Sequence, residues 1–128
     1  MESTKTPEPL LQYEAKIYQK LQGHEGISNV HWVGVQDDFH VLILDLLGPT
    51  LQDLFEFCNY SFNLPTISWI AYQMISRIES VHSSIYVHRD IKPQNFLLGN
   101  GKKADTLYII DFGLAKRYID PNSGKHIE

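Results

Sequence analysis

The segment VHRDIKPQNFLLG, residues 87–99, places an aspartate, a lysine and an asparagine within six positions, directly before a continuous apolar run. These residues are Asp90, Lys92 and Asn95, and they follow an apolar triplet at 85–87. A segment that only has to fold has little reason to hold this trio between two apolar stretches. The pattern therefore indicates a site whose chemistry requires these three side chains.

The composition is that of a globular protein of about one small domain, with 128 residues of which 43% are hydrophobic. The formal net charge is −4 and the longest basic runs are pairs, which argues against a nucleic-acid-binding face. A single cysteine, Cys58, excludes an internal disulfide and is typical of a reducing compartment. The most apolar stretch, VLILDLLG, is interrupted by Asp45 and too short to span a membrane. The first residues do not resemble a secretory signal, so we expect a soluble cytoplasmic or nuclear protein.

Residues 7–22 are predicted to form a helix, with Thr6 as its cap, Pro7 in its first position and Gly23 at its end. Glu14 lies in the middle of the apolar stripe of this helix, which consists of Leu10, Ile17 and Leu21. A carboxylate on an apolar stripe is costly unless a cation meets it. Glu14 is therefore a candidate functional residue.

The remaining chain predicts two hairpins and two helices. Strands VHWVGVQ and FHVLILDL flank a turn at residues 37–38, and helical spacing follows in LQDLFEFC and over residues 64–83. Two short strands, FLLG and LYIID, flank a polar loop, and the last ten residues are predicted to be open loop. The order indicates an α+β fold in which the polar trio lies between the long helix and the second hairpin.

Phosphoryl transfer from a nucleotide to a hydroxyl would use all of these residue types. The charge lies on the phosphate oxygens, so the protein mainly supplies positioning and countercharge. Asp90 would orient the hydroxyl and accept its proton, Lys92 would neutralise the transferring phosphate, and the amide oxygen of Asn95 would hold a magnesium ion. Asp111 supplies a second carboxylate at a strand end, and the hairpin between the two acids would bring them to one cleft.

Each candidate residue also has a structural explanation. Asp90 could be an ordinary loop acid, Asp111 the cap of a strand end, and Glu14 a surface residue. His88 is best interpreted as a packed loop residue beneath the site, and the six histidines are too scattered for structural zinc. The combination of Asp90 and Asp111 with the neighbouring Lys92, however, favours the functional explanation.

The motifs HRDIKPQN and DFG together resemble the catalytic loop and the metal-binding loop of protein kinases. LDLLGPTLQDLFEFC, QMISRIESVHS, HRDIKPQNFLLG and YIIDFGLAKRY are similar to the casein kinase I family of serine/threonine kinases. The resemblance covers nearly the whole chain. It implies a partial protein-kinase-like fold, with part of the N-terminal lobe in residues 1–47 and part of the C-terminal lobe in residues 48–128.

The resemblance also implies an activity and its participants. The enzyme would transfer the γ-phosphate of ATP to protein hydroxyls, with ATP and Mg²⁺ as cofactors and acidic or phosphate-primed proteins as substrates. Asp90 is then implied to be the catalytic base, Lys92 the phosphate contact, and Asn95 and Asp111 the magnesium ligands. Glu14 is implied to pair with a strand lysine that holds the nucleotide phosphates.

The segment LDLL is implied to be the hinge that binds the adenine base. Leu44 would stand at the gate of the adenine pocket, and the backbone of Asp45 and Leu47 would face the base. Leu97 and Ile110 would form the floor of the pocket.

Parts of the kinase pattern are not matched here. Met1 aligns just past the family's nucleotide-binding lysine, Lys5 is a poor substitute for it, and no Gly-rich phosphate loop is present. The activation segment and the basic substrate groove are expected to lie outside this sequence, and helix 64–83 is expected to leave an apolar face exposed. We therefore expect little or no turnover. A non-catalytic, kinase-derived interaction module and a gene fragment without a function of its own remain alternatives.

Overall fold

The structure is a computed structural model in which residues 1–5, 10–119 and 122–125 are described. Its helices and strands, in chain order, are β1 (Glu2–Ser3), α1 (Leu11–Lys20), β2 (Val30–Gln36), β3 (Phe39–Leu44), α2 (Leu51–Phe57), α3 (Leu64–Ser83), β4 (Tyr86–Val87), β5 (Phe96–Leu98), β6 (Leu107–Ile109) and β7 (Lys116–Arg117). Two short 3₁₀ turns, Pro93–Asn95 and Gly101–Lys103, flank β5. The mixture of helices and short antiparallel strands agrees with the predicted α+β class.

Both predicted hairpins are present. Strands β2 and β3 pair in an antiparallel register around the turn at residues 37–38, where Asp37 has a positive φ of 54°. Strands β5 and β6 also pair, with Phe96 opposite Ile109. Two further pairings were not predicted: β1 joins the edge of β3, and β4 pairs with β7. Each unpredicted strand has only two residues, too few to show a period in the sequence.

Helix α1 is shorter than its prediction. It spans Leu11–Lys20 rather than residues 7–22, and Gly23 follows its end with a φ of +94°. The predicted cap at Thr6 and the predicted first position at Pro7 lie outside the described residues.

The beginning of α1 is held by a side chain from β1. The Glu2 Oε2 atom accepts hydrogen bonds from the backbone N–H groups of Leu10, at 2.9 Å, and Leu11, at 3.2 Å. Ile17 and Leu21 are fully buried, as the predicted stripe requires, but the inclusion of Leu10 in that stripe was wrong because its side chain is exposed. A carboxylate at a helix N-terminus satisfies unpaired N–H groups and favours the helix dipole.

Helices α2 and α3 begin at well-formed caps. The Thr50 hydroxyl accepts the Asp53 N–H, and the Asp53 carboxylate accepts the Thr50 N–H in return. The Asn63 side chain accepts the Thr66 N–H, and Pro65 lies in the first turn of α3. These local signals explain why α3 has the predicted bounds, 64–83.

One hydrophobic core joins α1 to the segments around the β5–β6 hairpin. It contains side chains from α1, α2, α3, β4 and the β5–β6 hairpin and from the segments next to them: Ile17, Tyr18, Leu21, Ile27, Leu51, Val81, Tyr86, Phe96, Leu107, Ile109, Phe112 and Ala115. The β2–β3 hairpin packs against this core with the partly buried Val30, Leu42 and Leu44. The core residues come from both sides of the predicted lobe division at residues 47 and 48. That division stays a prediction, since the core does not by itself separate two units.

Helix α3 carries large apolar side chains on its outer side. We call this set the exposed α3 face, and it consists of Leu64, Ile67, Trp69, Tyr72 and Ile75. The expected apolar surface on this helix is therefore present. None of the described helices has the length and hydropathy needed to cross a membrane.

The buried side of α3 is joined to the loop after α1 by Arg77, which is almost fully buried. Its Nε donates to the Leu107 carbonyl at 2.7 Å, and one terminal nitrogen donates to Gln73 Oε1 at 3.0 Å. Gly26 lies directly against this guanidinium with a φ of +76°, and its carbonyl accepts the Ile109 N–H. The close approach leaves no room for a side chain at residue 26.

We expect Gly26→Ala to lower the free energy of unfolding by about 3 kcal/mol, since its Cβ would overlap Arg77 and its backbone would be strained. Gly23→Ala is the matched control, because it carries the same kind of positive φ but its Cβ would meet open space. That control is expected to lose only about 1 kcal/mol. Urea denaturation measures both values, and equal losses in the two variants would contradict the packing role of Gly26.

Candidate active site

The loop between β4 and β5 brings the predicted trio together. Asn95 is buried at the end of the 3₁₀ turn, and its Nδ2 donates to the Asp90 carbonyl at 2.9 Å and to Asp90 Oδ2 at 3.2 Å. Lys92 Nζ lies 3.5 Å from the same Asp90 oxygen. The Asn95 Oδ1 atom accepts no hydrogen bond within the described part of the chain. The loop thus presents a positioned carboxylate, an ammonium group and an open amide oxygen.

His88 lies beneath this loop and is almost fully buried, which confirms its interpretation as a packed residue. Its Nδ1 accepts the Asp90 N–H at 3.1 Å and its Nε2 faces the Ile110 carbonyl at 2.7 Å. An amide N–H only donates and a carbonyl only accepts, so both contacts together require the neutral imidazole with its proton on Nε2. His88 therefore connects the Asp90 loop to the segment that carries Asp111.

Asp111 follows β6 with its carboxylate exposed and its backbone in the left-handed region, with a φ of 63°. The Ile110 N–H donates to the Asn95 carbonyl at 3.0 Å, so the segments that carry Asn95 and Asp111 are hydrogen-bonded to each other. Asp111 Oδ1 also accepts the Gly113 N–H at 3.3 Å. The two predicted metal ligands therefore come from adjacent, connected positions.

Phe112 anchors the segment after Asp111. Its ring is fully buried and packs edge-on against Tyr18, at 4.9 Å between centroids, and His88, at 5.2 Å. The Tyr18 hydroxyl accepts the Asp111 N–H at 3.2 Å, and burial raises the pKa of Tyr18, which keeps the hydroxyl protonated. Helix α1 is therefore in direct contact with the candidate metal-binding segment.

Glu14 is half-buried rather than a surface residue. Its Oε1 accepts the Phe112 N–H at 3.1 Å, one helical turn from the Tyr18 contact. Burial raises the pKa of Glu14, the Phe112 hydrogen bond opposes this rise, and the Asp111 carboxylate adds to it. Among the residues that the structure describes, no cation forms an ion pair with Glu14, Lys5 included. In the described residues the Glu14 carboxylate therefore meets a backbone N–H and no lysine.

The predicted hinge follows β3, which ends at the half-buried Leu44. The Asp45 N–H donates to the Ser28 hydroxyl at 2.9 Å, and Asn100 Nδ2 donates to the Leu46 carbonyl at 2.6 Å. The Asp45 carbonyl and the Leu47 N–H make no hydrogen bond within residues 1–5, 10–119 and 122–125. These two backbone groups are the ones that the resemblance implies would face the base.

The predicted floor residues share one face of the β5–β6 hairpin. Leu97 is opposite Tyr108, and Ile110 follows Tyr108 by two positions, so all three point to the same side. Phe96 and Ile109 occupy the opposite face and belong to the core. Leu97 and Ile110 are half-buried, so part of each apolar side chain is open for a ligand to cover.

Three contacts around the site were not found from the sequence. The Arg89 Nε donates to the Leu114 carbonyl at 2.7 Å, the Tyr13 hydroxyl donates to the Ala115 carbonyl at 2.7 Å, and Tyr18 binds Asp111. Each joins residues far apart in the chain, and the acceptor or donor is a backbone group. No side-chain pattern in the sequence signals such a contact.

A basic groove also lies beside α1, within the described residues. It has a volume of about 740 Å³, and five cationic side chains line it: Lys16, Lys20, Arg89, Lys116 and Arg117. The sequence interpretation placed the basic groove of the family entirely outside this chain. That expectation stays a prediction. The groove described here is formed by cations of α1, of the Asp90 loop and of β7, which lie apart in the sequence.

A family model for the protein kinase domain matches residues 2–127 of the chain. The match covers nearly every residue, so this chain belongs to the protein kinase domain family. This confirms the kinase part of the interpretation, and the mixed helix and strand content is consistent with part of a kinase fold. A kinase-like, phosphoryl-transferring function and protein substrates follow from the family at this level.

Protein kinases generally use ATP and Mg²⁺, and the residues present fit a magnesium ion that arrives with its nucleotide. Asn95 Oδ1 and the Asp111 carboxylate are hard oxygen ligands on adjacent segments. The described residues hold no group of three or more His, Cys, Asp or Glu side chains that could enclose a metal. Mg²⁺ is commonly held by one or two protein oxygens and by phosphates, which is what this donor set allows.

The half-buried Glu14 gives the stability of the chain a pH dependence. Its pKa lies above the usual 4.5 in the folded state, so between pH 4.5 and that raised pKa folding takes up protons, and stability falls as the pH rises through this window. Glu14→Gln keeps an acceptor for the Phe112 N–H but carries no charge, so we expect a higher melting temperature than the parent at neutral pH. The two curves should converge as the pH falls toward about 4.

Thermal melts from about pH 4 to pH 8 measure this difference. Glu79→Gln is the matched control, because Glu79 is exposed on α3 and its substitution should shift the melting temperature little at any pH. A Glu14→Gln variant that melts below the parent at neutral pH would contradict the inference that partial burial of the ionised Glu14 carboxylate destabilises the fold.

Proposed function

We propose that this chain is an ATP- and Mg²⁺-dependent serine/threonine protein kinase of casein kinase I type, acting in the cytoplasm or nucleus. The observation that supports the proposal most is the network around Asp90. Its carboxylate is held by Asn95 and faces Lys92, and His88 joins its backbone to the segment before Asp111. The side chains of Asp90, Lys92 and Asn95 therefore lie together, and backbone contacts bring the segment of Asp111 beside them.

The proposed roles follow from this geometry. Asp90 accepts the proton of the attacking hydroxyl, and the Asn95 amide keeps its carboxylate in one orientation while it does so. Lys92 is close enough to the Asp90 carboxylate to place its charge beside a phosphate that reacts there. Asn95 Oδ1 and Asp111 would hold the magnesium ion, which neutralises charge on the phosphates.

The proposed nucleotide contacts are at the hinge. The Asp45 carbonyl and the Leu47 N–H, which have no hydrogen-bond partner among the described residues, offer one acceptor and one donor to a base. Leu97 and Ile110 offer an apolar surface beneath it. Leu44 would border this pocket from the end of β3. The arrangement supports a planar heterocycle that both accepts and donates hydrogen bonds, as adenine does.

Acidic or phosphate-primed proteins are the proposed substrates. The groove that carries Lys16, Lys20 and Lys116 supports this proposal by charge complementarity, since none of the described residues that line it is acidic. We also propose that turnover of this chain is low. Among the described residues Glu14 meets the Phe112 N–H and no lysine, and an electrostatic donor missing at a transition state commonly costs about 10²–10³ in rate.

A non-catalytic interaction module is the second candidate, and the exposed α3 face favours it. Large exposed apolar patches commonly mark protein interaction sites, and α3 exposes five large apolar side chains. A purified chain that stays monomeric and keeps no partner in solution would count against this candidate. A chain without any function of its own is the remaining proposal, and the transcript upstream of Met1 is where it would be checked.

We expect Mg-ATP to raise the melting temperature of the purified chain through Asp111. At a hundredfold excess over Kd, ligand binding adds about 2.7 kcal/mol to stability, and Asp111→Asn should lose most of this gain because it removes a metal-binding charge. Asp105→Asn is the control, since Asp105 is an exposed acid in the loop before β6 and should respond like the parent. If Mg-ATP does not change the melting temperature of the parent chain, the result would argue against a nucleotide site.

We expect Asp90→Asn to lower phosphate transfer to an acidic protein substrate at least about 100-fold, because an amide cannot accept the hydroxyl proton. The measurement is transfer of labelled phosphate, with the same Asp105→Asn control. Activity that survives unchanged in Asp90→Asn would show that Asp90 is not the base. Folding is checked by melts without nucleotide.

A further inference from the structure

The carboxylate of Asp45 is bound by the strand next to the hinge. Asp45 Oδ2 accepts the Asn29 backbone N–H at 2.9 Å and the Asn29 Nδ2 at 3.1 Å, and Asp45 Oδ1 faces His31 Nε2 at 2.6 Å. A carboxylate oxygen accepts, so His31 Nε2 carries the donated proton. Asn29 precedes β2 and His31 lies at the irregular register of β2, between Val30 and Trp32.

The backbone on both sides of this carboxylate is also fixed. The Asp45 N–H donates to the hydroxyl of the fully buried Ser28, and the Leu46 carbonyl accepts from Asn100. The Asp45 carbonyl and the Leu47 N–H stay without a partner in the described residues. The Leu46 carbonyl and the Leu47 N–H belong to one peptide unit, so a rotation of that unit would break the bond from Asn100. The bonds of Asp45 to Ser28, Asn29 and His31 fix the position of its Cα atom and side chain, from which its carbonyl extends.

The Asp45 carboxylate stays ionised in this position. Burial raises its pKa, but the hydrogen bonds from Asn29 and His31 outweigh burial, so the pKa of Asp45 lies below its usual value. An ionised acceptor forms shorter and stronger hydrogen bonds than a neutral one. The bonds from Asn29 and His31 therefore hold the side chain firmly against β2.

We propose that Asn29 and His31 are positioning residues of the nucleotide site, which hold Asp45 so that its carbonyl and the Leu47 N–H face the base. This inference rests on the proposed nucleotide binding at the hinge. Among the described residues, the side chains of Asn29 and His31 form hydrogen bonds with Asp45 and none with Asn95 or Asp111, so we expect their effect to be on the base. A ligand without a base should not depend on them.

The test compares Mg-ATP with Mg-tripolyphosphate, which carries the charge but no base. We expect the Asn29→Ala/His31→Ala double variant to bind Mg-ATP about tenfold more weakly while its affinity for Mg-tripolyphosphate changes less than about twofold. His31→Ala alone should lose part of the affinity for Mg-ATP. His31→Gln should keep the affinity of the parent, because the glutamine amide is still a hydrogen-bond donor. His24→Ala is the control, since His24 is exposed in the turn after α1 and its side chain forms no hydrogen bond or ion pair with a described residue.

The outcomes separate the two proposals. A parent chain that binds neither ligand overturns the proposed function and this inference with it. A parent that binds Mg-ATP, with double and single variants that bind it equally well, overturns this inference alone. Equal losses of affinity for Mg-ATP and Mg-tripolyphosphate would mean that Asn29 and His31 only support the fold, and would also overturn this inference. If the double variant does not fold, His31→Ala and His31→Gln decide between these outcomes, because His31 is largely exposed.

Discussion

The buried ring of Phe112 is the contact on which the other parts of the site depend. It packs between Tyr18 of α1 and His88 of the Asp90 loop, while its N–H is taken by Glu14. Loss of a fully buried aromatic ring typically costs about 3–5 kcal/mol, more than any single hydrogen bond around it. The packing of Phe112 therefore holds three separate segments at fixed distances, and the polar groups of the site take their positions from it.

Hydrogen bonds around Phe112 stabilise two residues whose backbone conformation is unfavourable. Arg89 and Asp111 both have positive φ values, which cost about 1–3 kcal/mol each in residues other than glycine. Hydrogen bonds offset this cost at each residue: Arg89 donates to Leu114, and Asp111 donates to Tyr18 and accepts from Gly113. Asp111 is exposed in this conformation, as its proposed role as a magnesium ligand requires.

Local signals made part of the fold predictable. Helix α3 has the predicted bounds because Asn63 and Pro65 mark its start. Periodicity was less reliable for side-chain burial: Leu10 is exposed, and the buried side of α3 includes Gln73 and Arg77. These two polar residues are buried because Leu107 supplies backbone partners, and a hydrophobic pattern contains no information about partners 30 residues away.

The sequence by itself determined which chemical groups the site contains, since Asp90, Lys92, Asn95 and Asp111 stand in motifs with fixed spacing. Only the tertiary structure decided what each group contacts. Glu14 meets the N–H of Phe112, 98 positions away, and the residues that hold Asp45 come from another strand. The reason is physical: residue identity and spacing are local properties, whereas a buried polar group takes its partner from whichever backbone the folded core brings beside it.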